Sequence, residues 1–361
     1  MDKFLRAVRN IIISAVILAV VVIGGGVMYL TSNEYAPEDN EEIGVYGTSS
    51  KHISPGDTVR VMTYCAGYGA KDNAHDNYED GGKTVITENE DIISENIKGI
   101  AEMCIKENPD IILFQEVDID SRRSFALDEA SLLCAELPER LNCFAYDFVC
   151  DFVPEPITNP TGRVNSGMLT LTNTAAESAQ RKSLASTEVF PQKAWSRKPC
   201  LLVQRTKVEE STKELVVINL NFEAYGDPDV RLGEFKSLCE FMQLEYAKGN
   251  YVIAGGCFNA SLPSVPKGKY LYDDDYEGAY IPSEFTTELL TGGWKYCTDD
   301  SEPTMRLMNE VYDSSSSTAR FYCVDGFITS PNTIAVTTRT VDSDFRYSSH
   351  NPVVTEITLV K

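Results

Sequence analysis

Positive charge is scarce in this sequence. It contains 32 lysine and arginine residues against 54 aspartate and glutamate residues, which gives a formal net charge of −22. The acidic excess is larger still once the first 30 residues are set aside, because they carry three basic side chains and one acidic one. Contacts with nucleic-acid phosphates need Lys and Arg, so a long nucleic acid is disfavoured as a partner.

Paired-cysteine and zinc-finger spacings are also missing. The ten cysteines are scattered along the chain, and none of them forms a C-x-x-C motif. A dense disulfide framework is therefore not expected in a chain of this length. We expect most of these thiols to be buried and inert, with Cys65 and Cys257 as the exceptions treated below.

The sequence has a long uncharged apolar run from Ile11 to Leu30, preceded by Lys3, Arg6 and Arg9. As a helix this run spans about 30 Å, the thickness of a bilayer core. It is too long for a signal peptide and lacks a small-x-small cleavage site, so we interpret it as an uncleaved signal anchor. The positive-inside rule then puts residues 1–10 in the cytoplasm as a basic tail, residues 11–30 in the membrane, and the remainder outside the cell membrane.

Two further segments are predicted to lack regular secondary structure. Residues 31–57 are acidic and lack a periodic apolar pattern, which predicts a flexible tether before a folded domain at 58–361. Residues 263–284, with Asp273, Asp274 and Asp275, are interpreted as an acidic surface insertion.

The folded part alternates strand-like and helix-like stretches without an internal repeat. Apolar periodicity predicts helices over 89–106, 131–140 and 230–246, and predicts strands over the ranges 58–64, 111–118, 142–147, 167–171, 200–205, 215–222, 251–254, 323–330 and 353–360. A singly wound βα barrel would need more helices than these. We therefore predict a four-layer α/β/β/α sandwich of two mixed sheets, preceded by one transmembrane helix.

The stretch Ile111-Ile-Leu-Phe-Gln-Glu116-Val-Asp predicts a buried strand with a carboxylate near its C-terminal end. Ligands collect outside the carboxyl ends of strands in α/β sheets, so Glu116 is a candidate metal ligand or general base. The alternative is that Glu116 caps a helix or pairs with Arg122 or Arg123. If Glu116 is desolvated and left with few partners, we expect its pKa to be raised.

Seven short motifs follow one another in a characteristic order. They are the Thr-Tyr-Cys65-Ala-Gly turn, Phe114-Gln-Glu-Val-Asp, Asn165-Ser-Gly, Ile218-Asn-Leu-Asn221, Gly256-Cys-Phe-Asn259, Val324-Asp-Gly-Phe-Ile and Ser348-Ser-His-Asn-Pro-Val. In this order they resemble the endonuclease/exonuclease/phosphatase superfamily, whose DNase I-like fold also serves sphingomyelinases and inositol-phosphate phosphatases. The resemblance covers residues 58–359, is closest to the membrane-anchored bacterial branch, and implies the fold more firmly than the activity.

The resemblance implies a role for four residues that match the family motifs. Glu116 corresponds to the metal-binding Glu, Asn259 to the Asn that orients substrate, and Asp325 and His350 to the pair that handles the proton. Four other positions depart from the pattern. Where the family has Asn, His, Asp and Asp, this chain has Cys65, Asn221, Cys257 and Ser349. Half of the usual site is therefore replaced.

These departures bear on the cofactor that the family implies, Mg²⁺ or Mn²⁺, which would here be weakly bound or absent. Cys65 and Ser349 remove oxygen donors, which leaves Glu116 as the only obvious anionic ligand. Cys257 replaces the carboxylate that orients or deprotonates the attacking water. An alternative cofactor is Zn²⁺ bound by Cys65, Cys257 and His350, while two buried thiols or a disulfide remain open for the cysteines.

Simpler structural roles also remain open: a hydrogen bond between strand ends for Asp325 and His350, and a turn for Asn259. Two functions are therefore weighed. One is an anchored, divalent-metal-dependent phosphoester hydrolase with strongly impaired turnover, acting on a phosphorylated small molecule or a lipid headgroup. The other is a catalytically inactive binding module on the same fold, a pseudoenzyme at the cell surface.

Overall fold

The computed structural model describes residues 2–186, 188–225, 227–266, 270 and 280–361. Within these residues the helices are α1 (Asp2–Ser32), α2 (Glu90–Glu107), α3 (Glu129–Glu136) and α4 (Pro228–Ala247). The strands are β1 (Asn40–Ile43), β2 (Thr58–Cys65), β3 (Ile111–Asp118), β4 (Leu141–Val153), β5 (Gly162–Thr172), β6 (Ala176–Ser183), β7 (Cys200–Lys207), β8 (Glu214–Asn221), β9 (Tyr251–Cys257), β10 (Ala260–Ser261), β11 (Ser283–Glu284), β12 (Lys295–Cys297), β13 (Met305–Arg306), β14 (Phe321–Tyr322), β15 (Asp325–Thr329), β16 (Thr333–Thr340) and β17 (Val353–Leu359). Short 3-10 helices form at Gly67–Gly69, Tyr78–Asp80, Gln192–Trp195 and Thr287–Leu289.

Most strands belong to two large mixed sheets, which confirms the predicted fold class. The seven-stranded sheet has the order β1-β6-β7-β8-β9-β15-β12, and the six-stranded sheet has the order β16-β17-β2-β3-β5-β4. The pairs β8/β9 and β2/β3 are parallel, whereas their other neighbours are antiparallel. Parallel neighbours have their carboxyl ends at the same edge, which is where the candidate site residues lie.

Three apolar clusters define the four layers. Alternating residues of one strand face opposite sides of its sheet, so Val216 packs outward under α4 while Val217 packs inward against the second sheet. The inner cluster joins the two sheets through residues such as Val61, Leu113 and Phe327. On the far side, α2 and α3 cover the six-stranded sheet. The order is therefore α, β, β, α.

The N-terminal helix differs from the other helices in its environment. Within the described residues it is the one helix long and apolar enough to cross a membrane, over Lys3–Ser32, and its most apolar window is not buried against the protein. Leu30, near the end of α1, is buried. The length and composition of α1 fit a membrane span or a signal sequence.

The segment 31–57 differs from the expected flexible tether. Asn40–Ile43 forms β1, which pairs antiparallel with β6 at the edge of the seven-stranded sheet. Ile53 is buried in the cluster between the sheets. Short edge strands carry little apolar signal because one side faces solvent, so sequence periodicity does not reveal them. The folded unit thus includes residues before Thr58.

Other elements follow the predictions with shifted ends. The helix expected over 131–140 is α3, which begins at Glu129 and ends at Glu136. The acidic run Asp273–Asp275 lies outside the described residues. The last two residues of the expected insertion form β11, which pairs with β10 just before the insertion.

Candidate functional site

The ends of three neighbouring strands bring Asn221, Cys257 and Asp325 into one row. Asn221 is the register partner of Cys257, and Cys257 is the register partner of Asp325. This alignment depends on Gly256, whose φ is +150 and where an added Cβ would lie 1.9 Å from the carbonyl oxygen of Leu220. Three residues that are distant along the chain therefore share one edge of the seven-stranded sheet.

His350 is held against this row by a carboxylate. Its Nδ1 lies 2.8 Å from Oδ2 of Asp325, and both side chains are buried. The preceding turn is fixed by Ser348, whose hydroxyl donates to the Cys65 carbonyl oxygen at 2.7 Å and accepts from the His350 N–H at 3.2 Å. Burial lowers the pKa of His350, but Asp325 and Cys65 together outweigh burial and raise that pKa well above its ordinary value.

Two free thiols adjoin the histidine. Ligand atoms of Cys257, Asp325 and His350 all lie within 4.8 Å of one another, and Cys65 also interacts with His350. Burial raises the pKa of both thiols, and the Glu116 carboxylate raises that of Cys65 further. Both cysteines are free, so the structure gives no disulfide between them.

Glu116 reaches the same cleft from the six-stranded sheet. It has a left-handed backbone, with φ at +54, and lies where the β3/β5 register shifts between Phe114 and Val117. A register shift of this kind redirects a side chain at the end of a strand. Its Oε2 lies 3.0 Å from Nζ of Lys71, which follows the turn after β2.

The partner of Glu116 differs from both the helix cap and the arginine that the sequence left open. Arg123 binds both carboxylate oxygens of Asp118 at 3.0 Å, and Arg122 donates to Asn159 instead. Glu116 is therefore paired with Lys71, which neither alternative included.

This pairing reverses the expected pKa of Glu116. Burial raises the pKa, as anticipated, but the charges of Lys71 and His350 outweigh burial and lower it to about 2. The expectation of a raised pKa is wrong, because a buried carboxylate next to an ammonium group stays ionised. Both partners are about one-sixth exposed, so this ion pair lies at the floor of the cleft rather than at the surface.

Asn259 is held by hydrogen bonds at both ends of its amide. Its Nδ2 donates to the Phe222 carbonyl oxygen at 2.8 Å, and its Oδ1 accepts from the Tyr280 hydroxyl at 3.0 Å. Its φ of +46 is the left-handed conformation in which Asn is tolerated. These contacts match the turn-forming interpretation, although the residue also lines the cleft.

The cleft that these residues share has a volume of about 320 Å³. Glu116, Cys257, Asn259, Ser349 and His350 line it directly, and Cys65, Asn221 and Asp325 adjoin them through register pairs or side-chain contacts. All eight predicted positions therefore converge in space. Their assigned roles remain predictions, because geometry alone does not test them.

Basic side chains also line the cleft: Lys71 and Arg197, which were not predicted, and Arg123, which was considered as a partner of Glu116. Arg197 donates to Asp147 at 2.7 Å and to the Asn221 carbonyl oxygen at 3.1 Å. Arg123 stacks on Tyr68, with 3.3 Å between its guanidinium carbon and the ring centroid. Lys71 could have been proposed from the sequence because it follows Cys65 by six residues. Arg197 lies between secondary-structure elements, and no sequence pattern indicated that it reaches the cleft.

A buried network holds the loop that carries Lys71. His75 lies 2.6 Å from an Asp72 oxygen through Nδ1 and 2.9 Å from Glu88 through Nε2. Asn96 donates to the other oxygen of Asp72 and to the Gly69 carbonyl oxygen, each at 2.9 Å. This network fixes the backbone on both sides of Lys71 and so positions its ammonium against Glu116.

The donor set does not fit a hard divalent cation. Mg²⁺ and Mn²⁺ prefer oxygen ligands. Among the eight predicted positions the carboxylates are Glu116 and Asp325, and Asp325 is already bound to His350. The Glu116 carboxylate is already neutralised by Lys71, and its other near neighbours are a thiol and a histidine with a raised pKa. A divalent cation at this carboxylate would have to displace a buried ammonium group.

Comparison with known proteins gives one family. Residues 94–308 match the model of the Endonuclease/Exonuclease/phosphatase family. No curated protein matches the chain.

Solved structures agree on the fold at low sequence identity. An endonuclease/exonuclease/phosphatase from Beutenbergia cavernae is 15% identical with a TM-score of 0.58, covering 84% of this chain and 72% of its own. One from Bacteroides vulgatus is 14% identical with a TM-score of 0.51, covering 84% and 99%. The human nocturnin catalytic domain with bound sulfate is 14% identical with a TM-score of 0.50, covering 88% and 98%.

Replacing Lys71 should leave the carboxylate of Glu116 free to bind a metal ion. In Lys71→Met the carboxylate loses its neutralising partner, so we expect Mn²⁺ to bind at least about tenfold more tightly than to the native chain. The estimate is conservative, since unit charges ~4 Å apart interact by about 4 kcal/mol at an effective dielectric constant of 20. Electron paramagnetic resonance of free Mn²⁺, on full-length protein in detergent, measures the difference.

The matched control is Lys98→Met, which changes an exposed lysine on α2. It should bind Mn²⁺ as the native chain does. Native protein that binds Mn²⁺ as tightly as Lys71→Met would contradict the neutralising role of the lysine.

The loop network should make stability depend on pH. Hydrogen bonding to Asp72 raises the pKa of His75 to about 9 from an ordinary 6.5. The stabilisation is therefore full below pH 6.5 and is lost as the pH rises through 9. We expect His75→Gln to lower the free energy of unfolding by about 2 kcal/mol below pH 6.5 and by much less above pH 9, by urea titration.

His52→Gln is the control, because the side chain of His52 is 58% exposed. It should change the stability little at either pH. A deficit of His75→Gln that is equal at both pH values would contradict the proposed protonation of this histidine.

Proposed function

Because the chain belongs to the Endonuclease/Exonuclease/phosphatase family, we propose that it binds a phosphoester in the Glu116 cleft with strongly impaired turnover. The family generally depends on a divalent metal. The observation that carries the proposal is the 3.0 Å contact between Lys71 and Glu116, which occupies the retained carboxylate of the family's metal set. An internal ammonium group supplies positive charge there, but it does not polarise a phosphoryl oxygen or a water as a metal does.

The replaced residues account for the impaired turnover. By resemblance, Cys257 takes the position of the carboxylate that orients the attacking water. General acid–base assistance of that kind is worth 10²–10⁴-fold, or roughly 3–5 kcal/mol of barrier. Asn221 offers a neutral amide where the family has a histidine, and Ser349 offers a hydroxyl where it has a carboxylate.

Basic side chains offer partners for an anion within an otherwise acidic lining. Lys71, Arg123 and Arg197 line the cleft, and His350 has a raised pKa. The carboxylates of Glu79, Asp80, Glu155, Glu188 and Glu223 line it as well. Arginine and lysine side chains bind phosphate oxygens through charge-assisted hydrogen bonds. Each of the three basic side chains is already paired with a carboxylate, so the site suits one small phosphoester group rather than a polyanion.

We also propose that α1 anchors the chain in the cell membrane. Its basic residues precede the apolar run, which puts the N-terminus in the cytoplasm and the cleft outside, with the domain boundaries given above. This topology makes a lipid headgroup or a small extracytoplasmic phosphoester the accessible ligand.

A zinc centre is a second candidate, favoured by the cluster of Cys257, Asp325 and His350. Nδ1 of His350 faces Asp325, which leaves Nε2 for a metal, and carboxylate–histidine pairs of this kind support zinc ligands. Two thiolates, from Cys65 and Cys257, balance the charge of Zn²⁺ in a buried site.

Hydrolysis of bis(p-nitrophenyl) phosphate by the full-length chain tests the first candidate. We expect no more than a trace of activity with Mg²⁺ or Mn²⁺. The combined change Cys65→Asn, Asn221→His, Cys257→Asp, Ser349→Asp and Lys71→Met should raise the rate by at least about 10²-fold, because it restores the water-orienting and metal-binding groups.

The further change Glu116→Gln should abolish that gain, and phosphate protection of the native chain in thermal unfolding should show the binding function. Robust Mg²⁺-dependent cleavage by the native chain, or no phosphate protection, would refute the proposal.

Elemental analysis of the purified chain tests the zinc centre. If it exists, zinc approaches one per chain and is lost in Cys257→Ala. The control Cys143→Ala, at another buried thiol, should retain it. Equal and negligible zinc in all three proteins would end this candidate.

A further inference from the structure

The last turn of α1 is docked on the folded domain. The Tyr29 hydroxyl donates to Asp151 of β4 at 2.8 Å. Leu30 is buried in a small cluster with Cys150, Val153 and Ala194. Just beyond the helix, Glu34 accepts from Lys198 at 2.9 Å.

These contacts fix where a bilayer would lie relative to the domain. The rest of α1 is exposed along the run that the proposed function places in the membrane. Leu30 is the last residue of that run, so the protein surface that touches Tyr29 and Leu30 lies at the boundary of the bilayer. Tyrosine is enriched at that boundary, where its hydroxyl reaches polar partners.

The same surface forms one wall of the cleft. Val153 of β4 lines the cleft and also packs near Leu30. Trp195, in the 3-10 helix that contains Ala194, also lines the cleft and packs on the same cluster. The wall that carries the helix end is thus shared with the candidate site.

These segments carry exposed apolar side chains. Phe152 is the penultimate residue of β4, Ile157 lies in the loop that follows, and Val189 and Phe190 precede the 3-10 helix. We call these four residues the apolar rim. Ile157 is 89% exposed and Phe190 is 67% exposed, although solvent exposure of such large apolar groups is unfavourable. Grouped exposure of this kind marks a surface that contacts a protein or a membrane.

We propose that the apolar rim rests in the outer boundary of the bilayer that holds α1, so that the cleft opens at the level of the lipid headgroups. The inference rests on the proposed anchoring by α1 and goes beyond it, because an anchor alone does not orient the domain. Asp151, Glu155 and Glu188 lie among the rim residues, so the contact depends on apolar insertion rather than on attraction to anionic lipid.

Photocrosslinking in a neutral bilayer tests the contact. Full-length protein is reconstituted in phosphatidylcholine nanodiscs with p-benzoylphenylalanine at the position of Phe190 or Ile157. The matched control position is Ile334, which is 53% exposed on β16, at the opposite edge of the six-stranded sheet from β4. Mass spectrometry should find phosphatidylcholine adducts at both rim positions, at least about tenfold more abundant than at Ile334.

A fourth position, Val16 in α1, separates the two proposals. Adducts at Val16 without adducts at Phe190 and Ile157 would overturn the rim contact and leave the anchor intact. Absence of adducts at Val16 would overturn the anchor and the contact together. Equal adducts at the rim positions and at Ile334 would show non-specific lipid contact and also overturn the proposal.

Discussion

The ion pair between Lys71 and Glu116 sets the character of the cleft. Each group is costly to bury alone, and each is tolerated because the other lies 3.0 Å away. Lys71 reaches this position because its loop is fixed by Asp72, His75 and Asn96 in a buried network. The chemistry at the floor of the cleft therefore depends on a loop that belongs to neither sheet.

The two sheets deliver the remaining groups by their topology. Parallel pairs β8/β9 and β2/β3 end at a common edge, and Gly256 allows β9 to approach β8 closely enough to align Asn221 with Cys257. The central apolar cluster, which includes Leu113 and Phe327, keeps the two sheets in contact behind that edge. Residues that are far apart along the chain meet there because these strands end at that edge.

The sequence predicted those elements whose structure depends on residues close together along the chain. The buried strands β3, β8 and β9 contain continuous apolar runs, the helices α2 and α4 carry apolar residues at helical spacing, and all five elements were predicted. The strand β6 reads Ala-Glu-Ser-Ala-Gln-Arg-Lys-Ser and has no such pattern, since partners in the sheet rather than its own apolar residues hold it. β16 is similarly exposed along most of its length and was also missed.

In the candidate site, too, the sequence predicted some features and missed others. Ordered motifs were enough to bring eight positions to one cleft, because the resemblance carries the three-dimensional arrangement of the family. The pKa of Glu116 was predicted in the wrong direction, since it depends on Lys71, which adjoins it only in space. Arg197 and its partner Asp147 lie fifty residues apart and belong to no motif.

Charge balance explains why the departures from the family pattern are compatible with one another. By resemblance, the cleft of the family carries carboxylates at the positions of Cys257 and Ser349 as well as at Glu116, and a divalent cation offsets them. Here Asp325 is matched by His350, and Glu116 is the one other carboxylate of the predicted set, matched by the single charge of Lys71. Carboxylates at the positions of Cys257 and Ser349 would add buried negative charge, which is unfavourable without metal, and a metal next to Lys71 would face repulsion. The neutral side chains of Cys257 and Ser349 are therefore compatible with the ion pair between Lys71 and Glu116.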